Sequence, residues 1–279
     1  MITCAVFVIT SFFMGMATND YSWVDRFWSI TPIIYVWILL CSGKPGLRLI
    51  VASVLVTLWG LRLTYNFARK GGYSGKEDYR WGELRKIIKS KTLWALFNFF
   101  FISLYQHLLI VLFTLPVYII YLGRSRSFGL ADVFLSLLFL AFLALETIAD
   151  QQQWDFQQKK SVSMAGGVIT VDAGGDISRG FITHGLFRFS RHPNYFAEIC
   201  IWWVVYLFGC CAEGGLFNWT CAGAILLTML FQGSAVWTEN ISGRKYPEYA
   251  LYQKETSKIF PWFSKDGHNK LETVKIPEE

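Results

Sequence analysis

Acidic, amide and basic side chains occur together where one apolar run begins. The segment 190–198, which leads into that run, carries Arg191, His192, Asn194 and Glu198. Pro193 suits the first position of a helix, where its missing N–H costs nothing, so a helix is predicted to begin there. The N–H groups at a helix start attract anions, and Arg188 and Arg191 lie just before this one. This helix start is therefore a candidate phosphate-binding site.

Asn194 and Glu198 are four residues apart, so they share one face of the predicted helix. We expect them to hold the polar part of a ligand whose phosphates rest at the helix start, with His192 and Tyr195 beside them. The alternative is a juxtamembrane anchor in which Arg191 and His192 contact lipid phosphates. That alternative leaves unexplained why Glu198 lies a full turn inside an apolar helix.

Two acids end another apolar run, in the segment LALETIADQQQWDF. Glu146 and Asp150 are also four residues apart and share a helix face. Like charges on one face repel unless a cation or a hydrogen-bond donor lies between them, which indicates a polar pocket at the helix end. The alternative is a pair of ordinary helix-end acids, with Asp150 already in water.

A third polar segment follows the last apolar run and begins at Glu239. It is basic and rich in tyrosine, and its candidate ligand contacts are Tyr246, Tyr249, Tyr252 and Lys254. Lysine supplies phosphate contacts, and tyrosine stacks on a base or donates a hydrogen bond. The alternative is an interfacial amphipathic segment with its aromatic side chains in the lipid headgroups.

The composition indicates which elements position these groups. The 279 residues are 53% apolar and 16% charged, with a mean hydropathy of +0.36, which is typical of a polytopic membrane protein. The six cysteines form no CxxC pair or Cys/His cluster, so neither a disulfide framework nor a metal site is predicted. No nucleic-acid-binding motif occurs. The Gly-rich loop 165–180 lacks the strand–turn–helix context of a dinucleotide fingerprint.

Apolar runs bounded by charged or Gly/Pro clusters predict an all-α bundle of seven transmembrane helices, the first retained rather than cleaved as a signal peptide. The predicted spans are 1–18, 27–42, 47–68, 93–122, 130–149, 195–212 and 216–238. We expect one transmembrane domain over 1–263, with its ligand-binding part at about 130–263, followed by a polar, flexible tail over 264–279.

The basic residues test this topology. With seven spans, 21 of the 26 Lys and Arg residues fall on the face that carries the segments 19–26, 69–91 and 150–194 and the tail after 238. Four fall on the other face, and Arg62 falls inside a span. This asymmetry predicts a cytosolic C-terminus and an N-terminus outside or in a lumen. In a eukaryotic cell, the endoplasmic reticulum is the expected membrane.

Four segments together carry a family resemblance: ETIADQQQWDF, GLFRFSRHPNYFAE, WGLRLTYNFARKGGYSGKEDYRWGELR, and the tail from Glu239 through TSKIFP. They resemble the DUF1295 branch of the steroid 5α-reductase C-terminal superfamily, from about residue 20 to Phe263. The RHPNY segment is common to the broad superfamily, and EDYRW with TSKIFP is typical of this branch.

The resemblance implies a seven-helix bundle that holds NADPH in a cavity open to the cytosol and reduces a C=C bond of an enone lipid or steroid-like substrate. By position, Asn194 and Glu198 match contacts of the nicotinamide end, and Glu146 and Asp150 match further polar contacts. Arg188, Arg191 and the segment from Tyr246 to Lys254 would hold the ribose and phosphates.

Hydride attack on an enone builds negative charge on the carbonyl oxygen, so a donor must lie beside it in a dry pocket. The relatives use a tyrosine and a glutamate from the N-terminal half. Tyr65 is our candidate donor, with Tyr79 as a second choice. A tyrosine in such a span also serves as an interfacial or packing residue.

Two other functions fit part of this pattern. Membrane methyltransferases of the isoprenylcysteine and phospholipid type share an RHPxY helix start and a tail glutamate, and they bind S-adenosylmethionine there. The EDYRW and TSKIFP motifs favour the reductase. The third possibility is a non-catalytic lipid- or sterol-binding protein. The expected partners are a lipid or steroid-like molecule and membrane lipids, with no nucleic acid, and the sequence identifies no protein partner.

Overall fold

The computed structural model describes residues 1–75, 77–123, 126–166 and 175–263, apart from the side chain of Tyr79. These residues form helices joined by short connections, and no strand occurs among them. The predicted tail 264–279 and residues 167–174 of the Gly-rich loop lie outside the described residues.

Thirteen α-helices are present in the described part of the chain. Those before residue 90 are α1 Ile2–Thr18, α2 Trp23–Trp28, α3 Ile30–Cys41, α4 Leu47–Arg69 and α5 Tyr79–Ile87. The next are α6 Lys91–Phe97, α7 Gln106–Thr114, α8 Pro116–Leu122 and α9 Leu130–Met164. The last are α10 Asp176–Arg179, α11 Pro193–Glu213, α12 Cys221–Lys245 and α13 Tyr249–Glu255. A π-helix, Asn98–Tyr105, joins α6 to α7, and a 3₁₀ helix covers Gly185–Arg188.

Six helical segments in the described residues are long and apolar enough to cross a membrane. They are Trp23–Cys41, Leu47–Arg69, Lys91–Leu122, Leu130–Met164, Pro193–Glu213 and Cys221–Lys245. The prediction of an all-α, multi-pass membrane protein is therefore confirmed. The predicted first span corresponds to α1, whose 17 residues extend roughly 26 Å, a little less than the ~30 Å hydrocarbon core.

Helix α9 is much longer than the apolar run that predicted it. The run ends near residue 149, but the helix continues to Met164, which gives 35 residues and a length of about 52 Å. Its second part is rich in Gln and Lys, which are good helix formers in water. The helix therefore extends well beyond the thickness of a hydrocarbon core.

The chain divides into two compact units. The first comprises Met1–Leu140 and Trp202–Leu227. Its core contains Trp59 and Phe113, whose ring centroids lie 4.8 and 4.2 Å from that of Trp202. Near one edge, the guanidinium of Arg48 donates to the carboxylate of Asp132 over 2.6 Å, and both side chains are buried.

The second unit comprises Ala141–Ile201 and Thr228–Glu279. In its described part, the segment after α13 is held by the backbone: the N–H groups of Arg191 and His192 donate to the carbonyls of Ser257 and Lys258 over 2.8 and 3.1 Å. The Trp262 N–H donates back to Phe189 O over 2.9 Å. Every candidate site residue except Tyr65 and Tyr79 belongs to this unit.

Candidate functional site

Helix α11 begins at Pro193, as the sequence predicted. The Phe196 N–H donates to the His192 carbonyl over 3.1 Å and closes the first turn. The N–H groups of Arg191 and His192, just before the helix, are already bound by the C-terminal segment. An anion at this helix start would therefore meet the N–H groups that follow Pro193 rather than those that precede it.

Arg191 and Glu239 form a buried, bidentate ion pair. Arg191 Nε donates to Glu239 Oε1 over 2.7 Å, and Nη2 donates to Oε2 over 3.0 Å. The two side chains are only 8% and 6% exposed. His192 Nε2 lies 3.0 Å from the same Oε1, and Gln253 Nε2 donates to Oε2 over 3.0 Å. Glu239 thus joins the start of α11, the end of α12 and helix α13.

The rest of the Arg191 guanidinium is also bound within the protein. Its Nη1 donates to the carbonyls of Gln253, over 2.9 Å, and Thr256. All three guanidinium nitrogens therefore contact protein acceptors. Binding of a cofactor phosphate by Arg191 remains a prediction, and it would require that phosphate to compete with Glu239.

Asp150 and Asn194 connect helices α9 and α11. Asn194 Nδ2 donates to Asp150 Oδ1 over 3.4 Å, and Asp150 is 4% exposed. Glu146 and Glu198, one turn away on their own helices, are each 4% exposed as well. The helices that carry the two predicted pairs thus meet at the contact between Asp150 and Asn194, and all three acids of these pairs are buried.

Buried carboxyl groups are costly unless donors or cations surround them, so buried acids on two contacting helices of a membrane protein mark a candidate functional site. Carboxylates accept hydrogen bonds from amide and hydroxyl groups, and the amide of Asn194 both donates and accepts. This arrangement can bind a neutral group that carries an amide or several hydroxyls.

The tyrosines of the C-terminal segment mainly pack against one another. Tyr249 and Tyr252 form a buried cluster with Phe181, and Tyr246 packs on its edge. Tyr252 is 2% exposed, and its hydroxyl donates to the Phe187 carbonyl over 2.6 Å. Burial raises the pKa of Tyr249 and of Tyr252 above its ordinary value. Two of the three predicted tyrosine contacts therefore lie in a hydrophobic core.

Tyr246 has a different environment because Lys160 lies against it. Lys160 Nζ donates to the Tyr246 hydroxyl over 2.7 Å and to the Gly180 carbonyl over 2.6 Å. Burial raises the pKa of Tyr246, but the hydrogen bonds and positive charges of Lys160 and Lys245 outweigh it and lower this pKa below its ordinary value. Tyr246 is thus the more acidic phenol of the segment and the better donor to an anion.

The remaining predicted residues lie at the surface of the second unit or beside the ion pair. Arg188 and Lys254 are exposed. Tyr195 is half-buried, with its ring 5.0 Å from that of His192 and 4.8 Å from that of Phe231. Arg188 and Lys254 therefore keep the exposure that a phosphate-binding residue needs.

Tyr65 lies on α4, in the first unit, and is 66% exposed. The Arg69 guanidinium lies 5.6 Å from the centre of its ring. This environment matches that of an interfacial tyrosine. Its role as a proton donor stays a prediction, and the side chain of Tyr79 lies outside the described residues.

Two features of the second unit were missed from the sequence. Gln253 contributes to the Glu239 network, although nothing in its neighbourhood distinguished it. Asp176 is buried and accepts from the Thr183 N–H over 2.9 Å and the Thr183 hydroxyl over 2.5 Å, and its Oδ2 lies 2.5 Å from His184 Nδ1. These contacts shape the loop before the 3₁₀ helix. Within the described residues, no cluster of three or more His, Cys, Asp or Glu side chains could hold a metal ion.

Comparison with known proteins identifies the family. The model of the family described as "Protein of unknown function (DUF1295)" matches residues 11–256. An uncharacterized protein of Schizosaccharomyces pombe is 40% identical over 266 residues, which cover 91% of this chain and 77% of that protein. No solved structure matches. Because the family model covers nearly the whole chain, this protein belongs to the DUF1295 family.

Proposed function

We propose that this integral membrane protein is an NADPH-dependent reductase of a C=C bond in an unsaturated, enone-type lipid or steroid-like substrate. The observation that carries the proposal is the contact between Asp150 and Asn194, which joins α9 to α11 beside the buried acids Glu146 and Glu198. The resemblance of these same segments to the steroid 5α-reductase superfamily supports it. The endoplasmic reticulum and a cytosolic C-terminus are part of the proposal.

The chemistry of the donor set fits NADPH. A nicotinamide carboxamide has an N–H₂ donor and a carbonyl acceptor, which a carboxylate and an asparagine can satisfy together. The ribose hydroxyls are donors suited to buried carboxylates. The phosphates need cations and N–H groups, which Lys254, Arg188 and the start of α11 provide.

Each residue then has a role in binding or orientation. Asp150 and Asn194 would orient the nicotinamide amide, and Glu146 and Glu198 would accept from neighbouring polar groups. Glu239 would act through Arg191 and His192 by holding the start of α11 in place. NADPH, when bound, supplies the hydride, and the enone receives it.

The experiment is a ligand-stability screen on purified protein in detergent. NADPH is expected to raise Tm, because a ligand that binds only the folded state stabilises it. Asn194→Ala is expected to abolish that rise, whereas Asn240→Ala, at an exposed position, is expected to retain it. NADPH oxidation with a panel of enone lipids then tests the reaction.

The outcomes separate the candidate functions. A Tm rise with S-adenosylmethionine and none with NADPH would overturn the reductase in favour of a methyltransferase. No response to either ligand would favour a non-catalytic lipid-binding protein. A rise in Tm with NADPH, but no NADPH oxidation in the presence of any enone, would refute the proposed substrate class but not the cofactor.

A further inference from the structure

A π-helix interrupts the third of the long apolar segments, in the first unit. Residues Asn98–Tyr105 adopt this conformation between α6 and α7. π-helices are rare and occur often at functional sites. Here the wider turn aligns residues five apart, so that the Ser103 hydroxyl donates to Asn98 Oδ1 over 3.4 Å.

This π-helix and the start of α7 present a row of buried polar side chains to α1. Asn98, Ser103 and His107 are 1%, 0% and 0% exposed. On α1, the Ser11 hydroxyl lies 2.8 Å from His107 Nε2, and a side chain at Gly15 would approach Asn98 Nδ2 to 3.6 Å. We call these five residues the polar seam.

Two nitrogen atoms of the polar seam have unmet hydrogen-bonding capacity. Neither His107 Nδ1 nor Asn98 Nδ2 has a hydrogen-bond partner among the described residues. Both atoms are buried within apolar helices, where an unsatisfied polar group is costly, and folded proteins satisfy most such groups. The imidazole also packs beside two aromatic rings, with centroids 5.8 Å from Phe7 and 6.4 Å from Phe27.

We propose that the polar seam binds the oxygen-bearing end of an uncharged lipid, a carbonyl or a hydroxyl. Asn98 Nδ2 can only donate, so its partner must carry an acceptor. His107 Nδ1 donates to a carbonyl if the Ser11 hydroxyl donates to Nε2, and it accepts from a ligand hydroxyl if that bond is reversed. The side chains of the seam are hydroxyls, an amide and an imidazole, so they suit an uncharged group, and the aromatic rings suit its hydrocarbon body.

This site is independent of the proposed reductase, because neither NADPH nor any residue of the second unit enters the argument. The test therefore measures lipid binding without NADPH, to purified protein in nanodiscs. The probes are two matched pairs: cholest-4-en-3-one against cholest-4-ene, and a long-chain methyl ketone against the corresponding alkane. Cholesterol is added as a hydroxyl lipid that membranes already contain.

Wild type is expected to bind at least one ketone more tightly than its matched hydrocarbon, or cholesterol more tightly than cholest-4-ene. His107→Gln keeps a donor near the Nε2 position and loses the group at Nδ1, so it should weaken that ligand roughly three- to tenfold. His107→Asn places an amide near the Nδ1 position and should restore much of the affinity. Asn98→Leu should weaken binding similarly, and His184→Gln, in the second unit, should leave it unchanged.

Equal affinity of wild type for every oxygen-bearing probe and its hydrocarbon would overturn the proposal. So would equal losses of affinity in His107→Gln and His107→Asn that accompany an equal fall in Tm, since a purely structural histidine gives that result. Preference for an enone over cholesterol would indicate a substrate, and the reverse would indicate a resident membrane lipid; both outcomes support the site. Failure here would leave an NADPH-induced rise in Tm unaffected.

Discussion

Arg191 Nε and Nη2 contact the two carboxylate oxygens of Glu239 at 2.7 and 3.0 Å, although the two residues lie 48 positions apart. The pair is buried, and the remaining nitrogen of Arg191 binds two backbone carbonyls. The arginine of the RHPNY segment is therefore part of the scaffold of the site in this structure.

Removal of one partner of this ion pair should be strongly destabilising. Glu239→Gln leaves the buried Arg191 charge uncompensated, which costs on the order of 3–5 kcal/mol in comparable sites. We expect a fall in Tm of several degrees in detergent. Glu213→Gln, at an exposed position, makes the same chemical change and should leave Tm nearly unaltered. An equal fall in both variants would contradict a structural role for the ion pair.

Under the proposed function, Lys254 should distinguish NADPH from NADH, because the two differ only in the 2′-phosphate. Its side chain is exposed, and a phosphate bound by it would leave the Arg191–Glu239 pair intact. Lys254→Ala is expected to weaken NADPH binding roughly tenfold and NADH binding little, since a charge-assisted hydrogen bond is lost. Isothermal titration at two salt concentrations measures this. Lys44→Ala, on the predicted opposite face, is the control, and an equal loss for both nucleotides would refute the assignment.

Tyr246 should ionise below the ordinary tyrosine pKa of about 10 because Lys160 lies 2.7 Å from its hydroxyl. A difference absorbance titration of wild type against Tyr246→Phe isolates this phenol, and Lys160→Met should move its pKa upward. The pKa of Tyr246 is lower in the folded state than in the unfolded state. The ionised phenol therefore stabilises the fold fully above the unfolded-state pKa, and this contribution is lost as pH falls through the folded-state pKa. The Tm advantage of wild type over Tyr246→Phe should therefore grow between those two pKa values as pH rises.

Gly185 should not tolerate a side chain. Its φ of +62° is unfavourable for other residues, and a Cβ there would approach Gln152 Nε2 to 2.5 Å. Gly185→Ala is expected to destabilise by about 1 kcal/mol or more, measured as a lower Tm. Gly243→Ala, on α12 with open space around it, should be neutral or slightly stabilising. A neutral Gly185→Ala would show that the start of the 3₁₀ helix Gly185–Arg188 adapts freely.

Patterns within short stretches of the sequence predicted the helices and the polar residues at their ends. Apolar runs predicted the membrane-spanning helices, and Pro193 predicted the start of α11. The spacing of four residues predicted that Glu146 and Asp150 share one helix face and that Asn194 and Glu198 share another. These predictions succeed because helix periodicity and hydrocarbon thickness act over short stretches of chain.

The partners of the polar groups could not be predicted in the same way. The sequence suggested that Arg191 binds phosphate, but its described contacts are with Glu239, Gln253 and Thr256. The π-helix before His107 was also missed, since its residues are as apolar as those of an ordinary span. Such features depend on which helices become neighbours, and no local pattern encodes that.

The backbone pairing of residues 257–262 with residues 189–192 has a practical consequence for protein engineering. These hydrogen bonds use main-chain atoms, so they persist through most side-chain substitutions in either segment. A truncation before Ser257 would remove them and leave the Arg191 N–H before α11 without its acceptor, whereas the His192 N–H would keep the Ser190 hydroxyl. A purification tag or fluorescent reporter fused after Phe263 would keep every one of these bonds, which makes that position the natural junction for fusion proteins.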